Sequence, residues 1–209
     1  MMETVSRKQA EKEQRRRAIL EAARGLLLEK GYDAVSIRQI AQISELGAGT
    51  IYSYFSGKPE IYATLANEVF DLLYENFRAA ADAASTPADR LRAIGASVLD
   101  FSVRHKAYYD FLDYFVSSPR TIFPAEMKSR IDEYGEEVLA PIVEAVEAGI
   151  ADGSFVRVDA RQYALLFLGM MHGVAHFRKL KGTMLAETGF EKLYARGVES
   201  MIDSLRVER

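Results

Sequence analysis

Apolar side chains return every three or four positions along almost the whole chain, the spacing of one face of an α-helix. Ile19, Ala22, Ala23, Leu26 and Leu27 form the first such stripe, on a helix predicted from about residue 9. Gly31 stops it, being a residue that accepts the left-handed C-terminal cap. Ser36 is suited to cap a short second helix whose inner face is Ile37, Ile40 and Ala41. A break at Ser44–Gly47 separates it from a third, from about Ala48 to Phe55. A longer helix starts near Lys58-Pro59 and runs to about Ala84, where Ser85-Thr86-Pro87 marks a boundary. The next runs to about His105, and an aromatic-rich one to about Val116, before Ser117-Ser118-Pro119 interrupts. A long helix from Pro124 reaches Ile150 and ends at Asp152-Gly153. Asp159 caps one that runs to about Lys179, and a last helix spans about Phe190 to Arg206. No strand alternation, repeat or low-complexity tract interrupts this pattern, so the expected fold is all-α.

Composition narrows the class. With 209 residues, 49% hydrophobic and 27% charged, the chain has the make-up of a globular protein with a sizeable core. It has no cysteine, which excludes disulfides, thiolate metal sites and cysteine nucleophiles and fits a reducing cytoplasm, the expected location. Residues 1–17 are charged and unlike a signal peptide, and the most apolar stretch, 163–177, is too short for a membrane span. Net charge is −3, but it is unevenly spread: residues 1–60 hold ten Lys/Arg against eight acids. A slightly basic head on an acidic body suits local contact with phosphates.

The two short helices and their turn have the outline of a helix-turn-helix. On a helical wheel Ile51 and Phe55 of the second point inward beside Ala48, while Gly49 and Ser53 lie opposite, flanked by Thr50 and Tyr52. A small outward centre lets such a backbone sit deep in a major groove, where flanking hydroxyls reach base edges or phosphates. Lys58 and the start of the helix after Ser36 are placed for phosphates.

The run SIRQIAQISELGAGTIYSYFSGKPEIY closely resembles the DNA-binding domain of TetR-type regulators, and the likeness covers about residues 12–62. Ser36, Ile40-Ala41, the segment Gly49 to Phe55 and Lys58 carry it. The resemblance implies a helix-turn-helix domain over 1–57, followed by a ligand-binding and dimerisation bundle over 58–209. It also implies DNA contacts from Ser36, Arg38, Gly47, Ala48, Gly49, Thr50, Tyr52, Ser53, Tyr54 and Lys58. The turn departs from the family pattern. Glu45 stands where the family has Gly, Gly47 replaces a Ser/Thr cap, and Ala48 replaces a Lys, which leaves more to Arg15–Arg17 and Arg38.

Residues 163–177 are apolar nearly all round, with Gly169 and Gly173 four apart, so this helix is expected to be covered on several sides. Together with the stripe on the last helix it suggests a two-fold dimer, formed by Leu165, Gly169, Gly173, His176, Val198, Met201 and Leu205. The alternative is a helix buried within one chain. The aromatic run over 101–115 suits a largely apolar effector cavity. Its expected lining is Phe101, His105, Tyr108, Tyr109, Leu112, Phe115, Met127, Tyr134, Phe167, Met171 and His172. His172 and His176 share a helix face and could hold a metal, but two ligands at this spacing are a weak signal, and no metal or cofactor is expected. The expected partners are palindromic double-stranded DNA, a small molecule and a second copy of the chain, with no membrane.

An all-α enzyme fails on assembly: no nucleophile–base pair or phosphate loop stands out, and Gly47-Ala48-Gly49 lacks the strand a dinucleotide site needs. A helical adaptor binding protein would show apolar anchors where Gly49, Thr50 and Ser53 stand.

Overall fold

The computed structural model describes residues 2–117, 125–180 and 189–207, without the side chains of 2–6, 115, 117, 125–131 and 179–180. Nine α-helices follow one another in this part: α1 Met2–Lys30, α2 Ile37–Ile43, α3 Ala48–Tyr52, α4 Lys58–Asp82, α5 Pro87–Arg104, α6 Lys106–Ser117, α7 Ala125–Ala151, α8 Ala160–His176 and α9 Phe190–Asp203. Among the described residues the only extended pairing is a single bridge between Phe155 and Arg206. The all-α expectation holds, and no helix of the described residues is long and apolar enough to cross a membrane.

Local chemistry sets the helix ends. Gly31 leaves α1 at φ +78°, its N–H donating to Leu27 O at 2.8 Å. Ser36 caps α2 through a reciprocal box in which Gln39 N–H donates to Ser36 Oγ and Ser36 N–H donates to Gln39 Oε1. Thr86 caps α5 ahead of Pro87, and Asp159 caps α8 by accepting from Gln162 N–H at 2.9 Å. The turn between α2 and α3 passes through Glu45 at φ +56°, a left-handed conformation no other non-glycine residue adopts among the described residues.

The chain divides into two units, Met1–Val69 with Lys106–Glu133 and Phe70–His105 with Tyr134–Arg209. The division therefore falls inside α4, whereas the domain boundary expected from the sequence lies at residue 57/58. In the first unit, Ile19, Ala23, Leu26 and Leu27 of α1 are buried with Ile40 of α2, Ile51 of α3, Ile61, Tyr62 and Leu65 of α4, and Phe111 of α6. Tyr62 is the polar pin of this core: its hydroxyl donates to Ala23 O at 3.1 Å, and burial pushes its ionisation upward.

The second unit packs the rest of α4 with α5, α7, α8 and α9. Phe77, Ile94, Ile142, Val146, Ala164, Phe167, Met171 and Ile202 are fully buried there. Glycines set the closest approaches. A Cβ on Gly149 would lie 2.1 Å from the Phe155 ring, and one on Gly95 would lie 2.8 Å from Val198. Tyr194 ties α9 to α5 by donating its hydroxyl to Gly95 O at 3.0 Å.

Candidate nucleic-acid interface

In α3, Ile51 is buried and Phe55 follows it into the core, which fixes the helix by one side only. The opposite side is open. Nothing lies within 4 Å of a Cβ built on Gly49, Tyr52 is 59% exposed, and Ser53 is exposed beside it. Gly47 is exposed at the N-cap, and Ala48, Thr50 and Tyr54 are half-buried on the flanks. The helix is shorter than the sequence suggested, ending at Tyr52. Ser53 closes it by donating both its N–H and its hydroxyl to Thr50 O, at 3.0 and 2.6 Å, a competition typical of serine at helix ends.

The residues expected on phosphates divide. Arg38 is exposed in the first turn of α2 and makes no ion pair among the described residues. Ser36 is exposed, but its hydroxyl both donates to Gln39 Oε1 and accepts from Gln39 N–H, so it serves the cap first. Lys58 has a further task within the fold. Its ammonium donates to Tyr32 O at 2.7 Å and Val35 O at 2.9 Å and stands 4.2 Å from the centre of the Tyr32 ring. These partners clamp the α1–α2 loop to the start of α4. Burial lowers the lysine's pKa, offset in part by the Asp33 charge.

This short helix with a bare outer side agrees with what the chain matches. Residues 19–65 match the family described as bacterial regulatory proteins, tetR family, and residues 84–196 the tetracyclin repressor-like C-terminal domain. The chain belongs to the TetR family. As a TetR-family protein it is a DNA-binding transcriptional regulator that responds to a ligand, not an enzyme. The HTH-type transcriptional repressor KstR2 of Mycobacterium tuberculosis is 26% identical over 145 residues, 68% of this chain and 69% of that one. A tetR-family regulatory protein from Rhodococcus RHA1 shares the fold at a TM-score of 0.75 and 19% identity, covering 93% of this chain and 98% of that one. A FadR regulator from Bacillus subtilis, solved in complex with stearoyl-CoA, shares it at 0.74 and 17% identity, over 90% and 98%.

The residues expected to line an effector cavity fall in both units. In the first, Tyr108, Tyr109 and Leu112 of α6 are half-buried. One face of Tyr108 is covered by the Arg24 guanidinium, 4.5 Å from the ring centre. Sequence reasoning missed Arg24, which is 9% exposed and paired with Glu21. The signal was a lone cation inside the apolar stripe of α1. Tyr114 adds a second tie between α6 and the head, accepting from Tyr32 N–H at 2.8 Å. In the second unit Phe101, Phe167 and Met171 are buried, Tyr134 and His172 half-buried, and His105 exposed with its ring 5.0 Å from that of Phe101. Phe115 and Met127 lie outside the described side chains. His172 and His176 stand edge to face, ring centres 5.2 Å apart. An open groove of about 460 Å³ runs between α1 and the α2–α3 turn past Gly25, Ile43 and Glu45, and none of the expected effector residues lines it.

The residues expected at a dimer interface also divide. Leu165 is exposed, among the described residues a Cβ on Gly169 or Gly173 would meet nothing within 4 Å, and His176 and Met201 are half-buried. Val198 and Leu205 are corrected. They are 4% and 1% exposed, so their surface is already covered within this chain, Val198 by its approach to Gly95. The expectation that α8 is wholly internal to one chain also fails, because Leu166 is 67% exposed and Phe177 stands out beyond it.

Proposed function

We propose that this chain is a homodimeric repressor that leaves a palindromic operator when a small, mostly apolar molecule enters its helical body. The observation that carries the reading is the outer side of α3, where a half-bare helix is pinned only from behind. Gly49 permits close approach to the floor of a major groove. Thr50, Tyr52 and Ser53 supply hydroxyls for base edges and backbone, and Arg38 and Tyr54 reach phosphates. The partner is a second copy, which covers Leu165, Leu166, Gly169 and Gly173 of α8 and Phe177 just beyond it, together with the Met201 flank of α9. Such an apolar strip in water is otherwise costly. Two heads so joined read half-sites about one helical turn apart or somewhat more, in the cytoplasm where DNA lies.

The effector reading rests on the aromatic side chains that α6 carries in the first unit, Tyr108 and Tyr109 among them. It is supported by the FadR fold relative solved with stearoyl-CoA, while KstR2, named a repressor, supports the repressor reading. DNA and effector oppose each other by linkage, with a coupling of about 1–3 kcal/mol. Within the first unit α6 is tied to the head by Arg24 on Tyr108 and by Tyr114 on the Tyr32 amide, so an effector that moves α6 bears on the head. The test is selection of bound duplexes from random DNA, followed by titration of the selected duplex with stearoyl-CoA. An inverted repeat that is released on titration supports the proposal. Enrichment of a single asymmetric site contradicts the dimer, and unchanged affinity removes long-chain acyl-CoA as the effector.

A further inference from the structure

The helix α1 is 29 residues long, but its packing begins only at Ile19, and residues 7–18 are exposed or half-buried. Twelve residues of helix extend about 18 Å. Positions 8, 12, 15, 19, 22 and 26 follow one another at three- and four-residue steps and share one face, to which 23, four after 19, also belongs. In its lower part that face is Ile19, Ala22, Ala23 and Leu26, buried in the unit that holds α2 and α3. In its upper part the same face is Lys8, Lys12 and Arg15, all exposed. The side of α1 that rests on the reading head thus turns cationic where it passes beyond the packing.

Pairing sets these three cations apart from the other five on α1. Arg7 pairs with Glu11, Arg16 with Glu68, Arg17 with Glu13, Arg24 with Glu21 and Lys30 with Glu29. Among the described residues Lys8, Lys12 and Arg15 make no ion pair. Their spacing places like charges side by side at i,i+4 and i,i+3, an arrangement that costs a helix stability where a solvated face would alternate signs. A polyanion lying along the stripe reverses that cost. The stripe is about 10 Å long, roughly three base-pair steps of one strand.

We propose that Lys8, Lys12 and Arg15 form a second DNA contact, a phosphate-binding stripe that grips the backbone without reading sequence. The proposal rests on the DNA-binding function stated above and adds a site to it. It is tested with the full-length protein and its selected duplex, by following affinity against salt concentration. Replacing all three by alanine, which favours the helix, is expected to lower the slope of log affinity against log salt by about 0.9 per cation, close to 3 per head. The ratio of specific to non-specific affinity is expected to stay the same. The swap Lys8→Arg, Lys12→Arg, Arg15→Lys should keep the original slope. A charge-matched control in the second unit, Arg104→Ala with Arg157→Ala and Arg206→Ala, should keep it too. A slope unchanged in the alanine variant overturns the stripe, as does an equal fall in the control. Failure of the wild-type chain to bind any duplex at low salt would instead sink the DNA-binding function itself.

Discussion

Lys58 and Glu45 carry the residue-scale lessons. From sequence, Lys58→Ala is a phosphate substitution that costs about one unit of salt slope. The structure places two loop carbonyls and an aromatic face on its ammonium. Removing that donor leaves Tyr32 and Val35 carbonyls to water and unties the α1–α2 loop. Lys58→Ala is therefore expected to cost about 2 kcal/mol of stability, read by thermal melting, with a slope change well below one unit. A full unit of slope lost with an unchanged melt would return Lys58 to the phosphates. Glu45 holds φ +56° with an ordinary side chain, a conformation that costs roughly 1 kcal/mol relative to glycine. Glu45→Gly should raise stability by about that amount; a lower melting temperature would show that the glutamate earns its place by contact. The strain at Glu45 was legible because the turn pattern called for glycine. The capture of Lys58 was not, because its partners lie 26 and 23 positions back in the chain.

At the scale of elements, several helix boundaries follow from caps and breakers that a sequence displays, Gly31, Ser36, Thr86-Pro87 and Asp159, whereas the start of α1, expected near residue 9, lies at Met2. The shortness of α3 was hidden, since Ser53 reads equally well as a groove-facing hydroxyl and as a terminator. The face of α9 was misjudged for a related reason. Periodicity identifies an apolar stripe over Leu193, Val198, Met201, Ile202 and Leu205 but is silent on what covers it, and Val198, Ile202 and Leu205 are covered by this chain's own second unit. Close helix contacts were equally invisible, because glycines that permit packing look like those that end helices. Gly149 is the sharpest case. With Phe155 where a methyl would be, Gly149→Ala should cost about 2–3 kcal/mol of stability by forcing the ring or α7 to move. An unaltered melting curve would mean that the Phe155 contact is not held in solution.

For the whole molecule, one division of labour accounts for these features. A head fixes α3 from behind, a second unit leaves an apolar face of α8 exposed, and α6, rich in aromatics, belongs with the head. The claim on which this depends is that the open side of α3 is the surface that meets DNA. Gly49→Leu tests it most directly, because among the described residues a Cβ there meets nothing within 4 Å and α8 lies in the other unit. The expected result is an unchanged melting temperature and oligomeric state, with affinity for the selected duplex lowered about 100-fold. Full affinity in a well-folded Gly49→Leu protein would contradict the account.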